Sequence, residues 1–467
     1  MALIAHGFLM TDALLSELLD RRVAALNDRP ALETKPFVLL WLQGQRRIHE
    51  NVAFAHAQRR ANELGRPLVV YEGLRRDYPH ASARLHRFVL DGVEGTTRDC
   101  KEAGVAYAFF LETPKSPRGV LHALAARAAL VVTDWLPTFI HPAQTKKLAA
   151  QAPCRVEAVD AAGSVPLAAF PRAEIGARTL RPKLWKELLL RRVPVLTARV
   201  GPPRSFDWGF EPLQAPYKDA SGVAALPAPV ERTRGGRKAG LERLRQFLAQ
   251  GINGYDELRN EPAAERPSGL SPYLHFGFVG ATEIAVAVSE SRARKADKDA
   301  FLEELLVRRE LALNFCARTP AHDAITALPP WAQKTLAAHT GDPRQLVSLE
   351  ELEAARSPDP LWNAAQRQLV AEGRIHGYLR MLWGKSLLHW TRDAAEALER
   401  MAYLNDRYAL DGRDAASWTN YLWCLGLHDR PFPERAIFGV VRSMTSGSAM
   451  RKLDLDRYLD RWGPQKE

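Results

Sequence analysis

The chain is expected to fold as an α/β domain built on a parallel sheet, followed by an all-helical domain, an α/β + all-α architecture. Three features lead there. Between Pro36 and Pro166, short runs rich in Val, Leu and Phe alternate with amphipathic stretches of helical length. Those runs are apolar almost throughout, as strands covered on both faces of a parallel sheet require. Beyond Lys238 such runs vanish, and segments such as "AGLERLRQFLAQG", "DAFLEELLVRRELALNFCAR" and "AEALERMAYLND" carry helical periodicity alone.

The elements follow in order. "FVLLWL" (37–42) is the first strand, "ENVAFAHAQRRANELG" (50–65) a helix and "PLVVYEGL" (67–74) the next strand. A long helix over 82–104 leads to the strand "VAYAFFLE" (105–112), and a helix near 118–128 to "LVVTD" (130–134). A helix near 142–151 leads to "CRVEAVD" (154–160). No G-x-G-x-x-G follows the first strand, which excludes an ordinary NAD fingerprint. Residues 1–35 are expected to form a helical extension before the α/β domain of 36–166. Residues 167–237, frequent in Pro and Arg, are expected to link the domains, with one helix near 182–191. The helical domain spans 238–462.

At 467 residues the chain is too long for one ordinary core. Hydrophobic residues make up 46% and charged residues 25%, the balance of a folded, soluble protein. No apolar run approaches the length of a membrane span. The opening "MALIAHGFLMTDALLSELLDRR" is interrupted by Asp12, Glu17 and Asp20 and lacks a basic start, so it is not a signal peptide. Four scattered cysteines (Cys100, Cys154, Cys316, Cys424) without a CxxC suggest reduced thiols and a cytoplasmic location. Sixty-five basic against fifty-four acidic side chains give a formal charge of +11. That excess suits a polyanionic partner, whose condensed counterions Lys and Arg release; an Arg-rich composition inherited from a GC-rich genome accounts for it equally well.

Four segments of the helical half carry chemistry. In "GYDELRNEPAAERPSGLSPYLHFG" (254–277), Ser268 and Ser271 flank Leu270, and Pro272 suits a first helical turn. Free backbone N–H groups there can hold a phosphate, with Tyr255 as a phenolic donor and Arg259 as a bidentate clamp; a plain capped helix explains the same residues. In "FLEELLVRRELALNF" (301–315), Glu303, Glu304, Arg308, Arg309 and Glu310 stripe an otherwise apolar helix. The spacing pairs Glu304 with Arg308 as a solvated surface contact, or lines an internal pocket. In "GYLRMLWGKSLLHW" (377–390), Trp383 and Trp390 lie two turns apart on one face, and Trp362 in "DPLWNAAQ" is expected on a preceding helix packed back against them. Finally, "LDGRD" within 403–442 is a sharp acidic turn whose Asp411 can satisfy Arg380. Such a buried pair calls for a reason beyond stability, because desolvation cancels most of its Coulomb gain.

Together these blocks resemble the class II photolyases, flavoproteins that split cyclobutane pyrimidine dimers in DNA with light. "FLEELLVRRELALNF" matches their signature, and "SPYLHFG", "DPLWNAAQ", "RMLWGKSLLHW", "LNDRYALDGRD" and "GLHDRPFPERAIFGVVR" follow in the family's order, from about residue 36 to 460. The resemblance implies a Rossmann-like antenna domain and a helical domain holding FAD in a bent form, active when reduced, with no metal. Tyr255, Ser268, Leu270 and Ser271 would hold the flavin phosphates and ribityl chain. Arg380 and Asp411 would pair beside the isoalloxazine, with Asp414 on the same turn and Asn405 facing flavin N5. Glu304 would bond the dimer's carbonyl, with Glu303 as the register alternative. Trp383, Trp362 and Trp390 would relay electrons to the flavin. Met381 and Trp423 would pack on the flipped lesion, while Arg259 and Arg442 would meet DNA phosphates.

The implied partner is UV-damaged double-stranded DNA, bound by a monomer away from membranes, and a deazaflavin-type antenna pigment is expected in the α/β domain. The last block departs from the family pattern: Phe432 replaces a tryptophan, Val440 a lysine, Ser443 an aromatic and Thr445 an asparagine. Gly269 stands where a larger polar residue is usual. The alternative is a cryptochrome-like flavin photoreceptor with the same flavin and tryptophans; the short stretch after "LDLDRYLDRWGPQKE" begins speaks against the long tail cryptochromes often carry.

Overall fold

The structure, a computed structural model, describes residues 9–214, 217, 219, 221–264 and 266–464. The chain divides into two compact units. The first comprises the chain through Pro171 together with Leu184–Gln246 and Leu270–Arg292; the second comprises Arg172–Lys183, Phe247–Gly269 and the chain from Ala293 onward. The stretch expected as a linker is thus shared between both units, and a piece of the expected helical domain, Leu270–Arg292, groups with the sheet. The helix expected near 182–191 lies over Ala177–Glu187.

The first unit carries a six-stranded sheet. In chain order its elements are α1 (Asp12–Asp20), β1 (Val23–Ala25), β2 (Val38–Leu42), α2 (Val52–Leu64), β3 (Leu68–Leu74), α3 (Ala83–Glu102), β4 (Ala106–Leu111), α4 (Val120–Arg127), β5 (Leu130–Trp135), α5 (His141–Gln151) and β6 (Val156–Asp160). The order across the sheet is β1-β6-β5-β2-β3-β4, parallel throughout except where β1 runs antiparallel to β6. β1 corrects the expectation of a purely helical extension: Val23, Ala24 and Ala25 pair with Val159, Ala158 and Glu157 and close one edge.

The unbroken apolar runs have the predicted cause. Along β2, Val38, Leu40 and Leu42 face one core with α2 and α1, while Leu39 and Trp41 face the other with α4 and α5. Successive side chains point to opposite faces, and both faces are covered. Phe206, Trp208 and Phe210 lie against the second core, with Phe206 edge-on to Phe37 at 5.0 Å and Phe210 to Phe110 at 4.9 Å. The strand order reverses between β5 and β2, the point where open α/β sheets form a crevice beyond their strand ends. There Asp134 accepts the backbone N–H groups of Gln43, Gly44 and Gln45 at 2.7–2.8 Å, fixing the loop after β2.

The described part of the second unit is helical. Its central helices are Lys295–Leu302, a π-helical turn Glu303–Arg308, Arg309–Arg318, Pro360–Glu372, Gly377–Leu387, Ala394–Tyr408 and Ala415–Cys424. Their ends follow capping rules. Asp359 accepts the N–H groups of Leu361 and Trp362, Asp393 that of Glu396, and Asp414 that of Ala416. Gly373 ends its helix in the left-handed conformation at φ 66°. Among the described residues no helix is long and apolar enough to cross a membrane.

Candidate active site

The site is built from four helices of the second unit and the acidic turn between two of them. Gly412 has no room for a side chain: a Cβ would meet the Cα of Asp406 at 2.9 Å and the carbonyl oxygen of Asn405 at 3.0 Å. The turn therefore folds directly onto the end of the Ala394–Tyr408 helix. Asp406 fastens it, accepting the Arg413 N–H at 2.8 Å and the Tyr421 hydroxyl at 3.0 Å. This delivers Asp411 to Arg380, whose two terminal nitrogens lie 3.3–3.4 Å from the carboxylate oxygens. The expected pair is present, and Asp411 is buried.

Ser417 joins this pair to Asn405. Its hydroxyl donates to the Asp411 carbonyl at 3.0 Å and accepts from Asn405 Nδ2 at 3.4 Å. Asn405 is 1% exposed, and its Oδ1 is sealed without a partner. Arg380 Nε is likewise sealed and unpartnered. Unmet acceptors and donors of this kind are rare in folded proteins and mark a place where something else completes the bonding. Asp414, placed by the sequence on the same turn, caps the following helix through the Ala416 N–H.

The three tryptophans form one column. Trp383 and Trp362 stack with centroids 5.9 Å apart and planes 5° from parallel; Trp390 meets Trp362 edge-on at 5.3 Å. Trp362 is therefore the middle ring. Its Nε1–H donates to the Trp383 carbonyl at 2.9 Å, and the Trp383 Nε1–H donates to Gln366 Oε1 at 3.0 Å. Exposure rises from 0–1% at Trp362 and Trp383 to 7% at Trp390. One expectation is corrected here. The helix stops at Leu387, so Trp390 stands in the turn beyond it, and Trp362 bridges the two rings that helical spacing alone would have placed on one face.

A second correction concerns the charged stripe. The expected Glu304–Arg308 pair is replaced by Glu303–Arg308 at 3.7 Å, because the π-helical turn aligns residues five apart instead of four. Glu303 is also clamped by Arg181 at 2.7 and 3.0 Å. Glu304 makes no hydrogen bond with the described residues and is open to solvent, yet the protein packed around it raises its carboxyl pKa against the pull of Arg308 and Arg259. Tyr255 belongs to the same neighbourhood. Its ring sits edge-on to Phe247 at 5.8 Å and Phe301 at 5.4 Å, and burial, reinforced by the Glu304 charge, pushes its hydroxyl up to about 12. The guanidinium of Arg308 lies 5.2 Å from the Trp423 ring centre. The Met381 carbonyl accepts from Cys424 Sγ at 3.8 Å, tying the helix of Arg380 to that of Trp423.

The remaining expected site residues are divided between the two units. Ser268 and Arg259 belong to the second unit, whereas Leu270 and Ser271 belong to the first, where Ser271 opens a five-residue helix. The guanidinium groups of Arg442 and Arg430 lie 5.6 and 5.5 Å from the centre of the Phe432 ring. The loop bearing them is pinned by Thr335 to the Val440 N–H and by Asp342 to the Ile437 N–H. Thr445 caps the Ser446–Lys452 helix, and Gly269 takes φ 67°, a conformation that disfavours the larger residue usual there. Sequence reasoning missed Ser417, Gln366 and Asp406, whose roles lie in contacts with residues on neighbouring helices and the acidic turn.

No protein-family model matches the chain. The deoxyribodipyrimidine photo-lyase of Methanothermobacter thermautotrophicus is 37% identical over 444 residues, covering 94% of this chain and 97% of that protein. Its counterpart from Potorous tridactylus is 36% identical over 440 residues, covering 91% and 81%, and that from Oryza sativa subsp. japonica 34% over 449 residues, covering 90% and 86%. Among solved structures, a cryptochrome of Synechocystis aligns with TM-score 0.70 at 15% identity over 91% of this chain and 88% of its own. A class III photolyase of Agrobacterium tumefaciens aligns with TM-score 0.67 at 17% identity over 92% and 86%. An archaeal photolyase of Sulfolobus tokodaii, described with two FAD molecules and a novel light-harvesting cofactor, aligns at 0.65 and 15% over 91% and 90%. The structural likenesses speak for the fold. With relatives above one-third identity matched over four-fifths or more of their length, the chain belongs to the deoxyribodipyrimidine photo-lyase family.

Proposed function

We propose that this protein repairs cyclobutane pyrimidine dimers in DNA under light, as a class II enzyme, with FAD in the helical unit. The carrying observation is the junction of the Arg380–Asp411 pair with the sealed, unpartnered Oδ1 of Asn405 beside a three-tryptophan column. The residues fit the flavin. A ring N–H would satisfy Asn405 Oδ1, and the ring's polar edge would give the desolvated ion pair its purpose. When bound and reduced, FAD supplies the light-driven electron that opens the dimer and then receives it back, with no net redox change.

The chain's own residues set up that transfer. Arg380 and Asp411 orient the ring system, and Ser417 keeps Asn405 turned so that its oxygen, rather than its amide nitrogen, is available. Tyr255, Ser268, Leu270 and Ser271 hold the phosphates and ribityl chain, and Asp414 orders the turn by capping its helix. Glu304 is the carboxyl that meets the lesion: its partner-free state and raised pKa suit an acid able to donate to a pyrimidine carbonyl, while Glu303 is occupied by two arginines. Met381 and Trp423 pack on the extruded bases, with Arg308 bracing the Trp423 ring. Arg259 and Arg442 contact phosphates.

Trp390, Trp362 and Trp383 carry electrons inward in that spatial order when the flavin is oxidised. An antenna pigment of deazaflavin type sits in the α/β unit, and the protein acts as a monomer. The test is illumination of the reduced protein with a dimer-bearing oligonucleotide and a count of restored thymines. Repair well above a dark control is expected. A flavin spectrum with photoreduction but no restored thymines would instead identify a photoreceptor.

A further inference from the structure

The second unit holds a cavity of about 410 Å³, whose lining residue His376 lies one helical turn before Arg380 and accepts its backbone N–H at 2.8 Å. None of the residues expected to touch flavin or lesion lines it. Among the described residues its charged lining consists of Arg374, Arg457 and Arg461, without a carboxylate. Glu372, outside the lining, holds Arg374 at 3.1 Å and Arg461 at 2.6 Å and so fixes their direction. Arg457 is exposed and makes no ion pair or hydrogen bond with the described residues. The cavity is therefore electropositive, with one guanidinium uncommitted.

The rest of the wall is of another kind. Pro262, Pro267 and Ile375 make it apolar, and the Trp462 ring, with Arg461 4.9 Å from its centre, adds a flat surface. Tyr458 and Gln368 also line it, the Tyr458 hydroxyl donating to Gln368 Oε1 at 2.9 Å. His376 is 8% exposed, and its Nδ1 is sealed in the protein without a partner. Burial, aided by Arg374, pushes its imidazole down to about 4, so at neutral pH the ring is uncharged. A neutral ring has one nitrogen that accepts and one that donates. The Arg259 backbone acts on this imidazole, which joins the cavity to the segment expected to meet DNA phosphate.

We propose that this cavity is a nucleotide-binding site, taking a phosphate on Arg457 and Arg461, a heterocycle or sugar against Trp462 and the prolines, and a polar atom of that group on His376 Nδ1. An inorganic anion alone leaves most of the volume and the apolar wall unused. A purely apolar ligand leaves the arginines and the imidazole nitrogen unmet. The chemistry is shared by a nucleotide of the bound DNA strand and a free mononucleotide.

Full-length, flavin-loaded protein is titrated by calorimetry with thymidine 5′-monophosphate, with inorganic phosphate and with a dimer-bearing duplex. The variants are Arg457→Ala, which removes no ion pair or hydrogen bond with the described residues, and His376→Phe. Saturable nucleotide binding, weakened by roughly tenfold in Arg457→Ala as expected for a lost charged hydrogen bond, supports the site. Parallel weakening of duplex affinity assigns it to the DNA strand; unchanged duplex affinity assigns it to free nucleotide. Weaker duplex binding without free-nucleotide binding also supports the strand. The proposal is overturned if neither ligand responds to either variant, or if inorganic phosphate binds as tightly as the nucleotide. Repair by illuminated wild-type protein, measured alongside, reports on the photolyase reading independently.

Discussion

At Trp383 the sequence chooses the largest side chain for a site that is 1% exposed, and two features make that choice workable. The indole N–H is satisfied by Gln366, and the ring stacks on Trp362 within 5° of parallel. Leucine would fill a core without needing a hydrogen bond, but it cannot be oxidised. Replacing Trp383 with Phe keeps an aromatic ring in the slot while removing the oxidisable indole. Photoreduction of oxidised flavin is expected to slow at least tenfold, while repair by chemically reduced enzyme stays close to wild type. Unchanged photoreduction kinetics would remove the relay assignment.

Glu304 calls for a different separation. Its neighbour Glu303 is bound by Arg181 and Arg308, so the two carboxyls differ in availability although they adjoin in sequence. Glu304→Ala is expected to lower the repair yield per absorbed photon several-fold with a smaller change in dimer affinity. The same change at Glu303 leaves the yield near wild type. Loss of affinity alone at Glu304 would contradict its proposed role at the pyrimidine carbonyl.

At the scale of elements, the acidic turn decides whether the site exists. Gly412→Ala places a methyl group against backbone atoms at 2.9 and 3.0 Å, which cannot swing aside as a side-chain tip would. The turn must lift from the Ala394–Tyr408 helix, drawing Asp411 from Arg380. The expected result is a stability loss on the order of 1–3 kcal/mol and purified protein with less than half the wild-type flavin content, read from its absorption spectrum. Full flavin content would show that the turn does not position the cofactor.

This turn was legible in part. "LDGRD" announced a bend and an Asp for Arg380, and both are present; Ser417, which links Asp411 to Asn405, was invisible because its role exists only once two helices meet. The strands from β2 to β6 were legible for a local reason, continuous apolar runs of strand length. β1 was not: Val-Ala-Ala has no periodicity, and its extended form comes from pairing with β6 more than 130 residues later. The π-helical turn was hidden as well. Its sequence "EELLVR" fits an ordinary helix, and only the turn's geometry moves the arginine's partner from Glu304 to Glu303.

For the whole molecule, the open question from composition was whether a charge of +11 reflects a polyanionic partner or a codon bias. Salt dependence separates these. Each phosphate neutralised by a Lys or Arg releases condensed counterions, so the logarithm of affinity falls linearly with the logarithm of salt, by about 0.9 per contact on duplex DNA. Arg259→Ala and Arg442→Ala, measured on dimer-bearing and undamaged duplexes, should each reduce that slope by about 1 and weaken both duplexes alike. Trp423→Ala touches no phosphate in this reading. It should leave the slope unchanged while shrinking the preference for damaged over undamaged DNA, because base stacking contributes through contact area and is nearly independent of salt. The Phe432 loop makes the comparison sharper: Arg442 is exposed and rests on an aromatic ring, so removing it disturbs no core. A slope that ignores both arginines would mean that the positive charge serves composition rather than DNA.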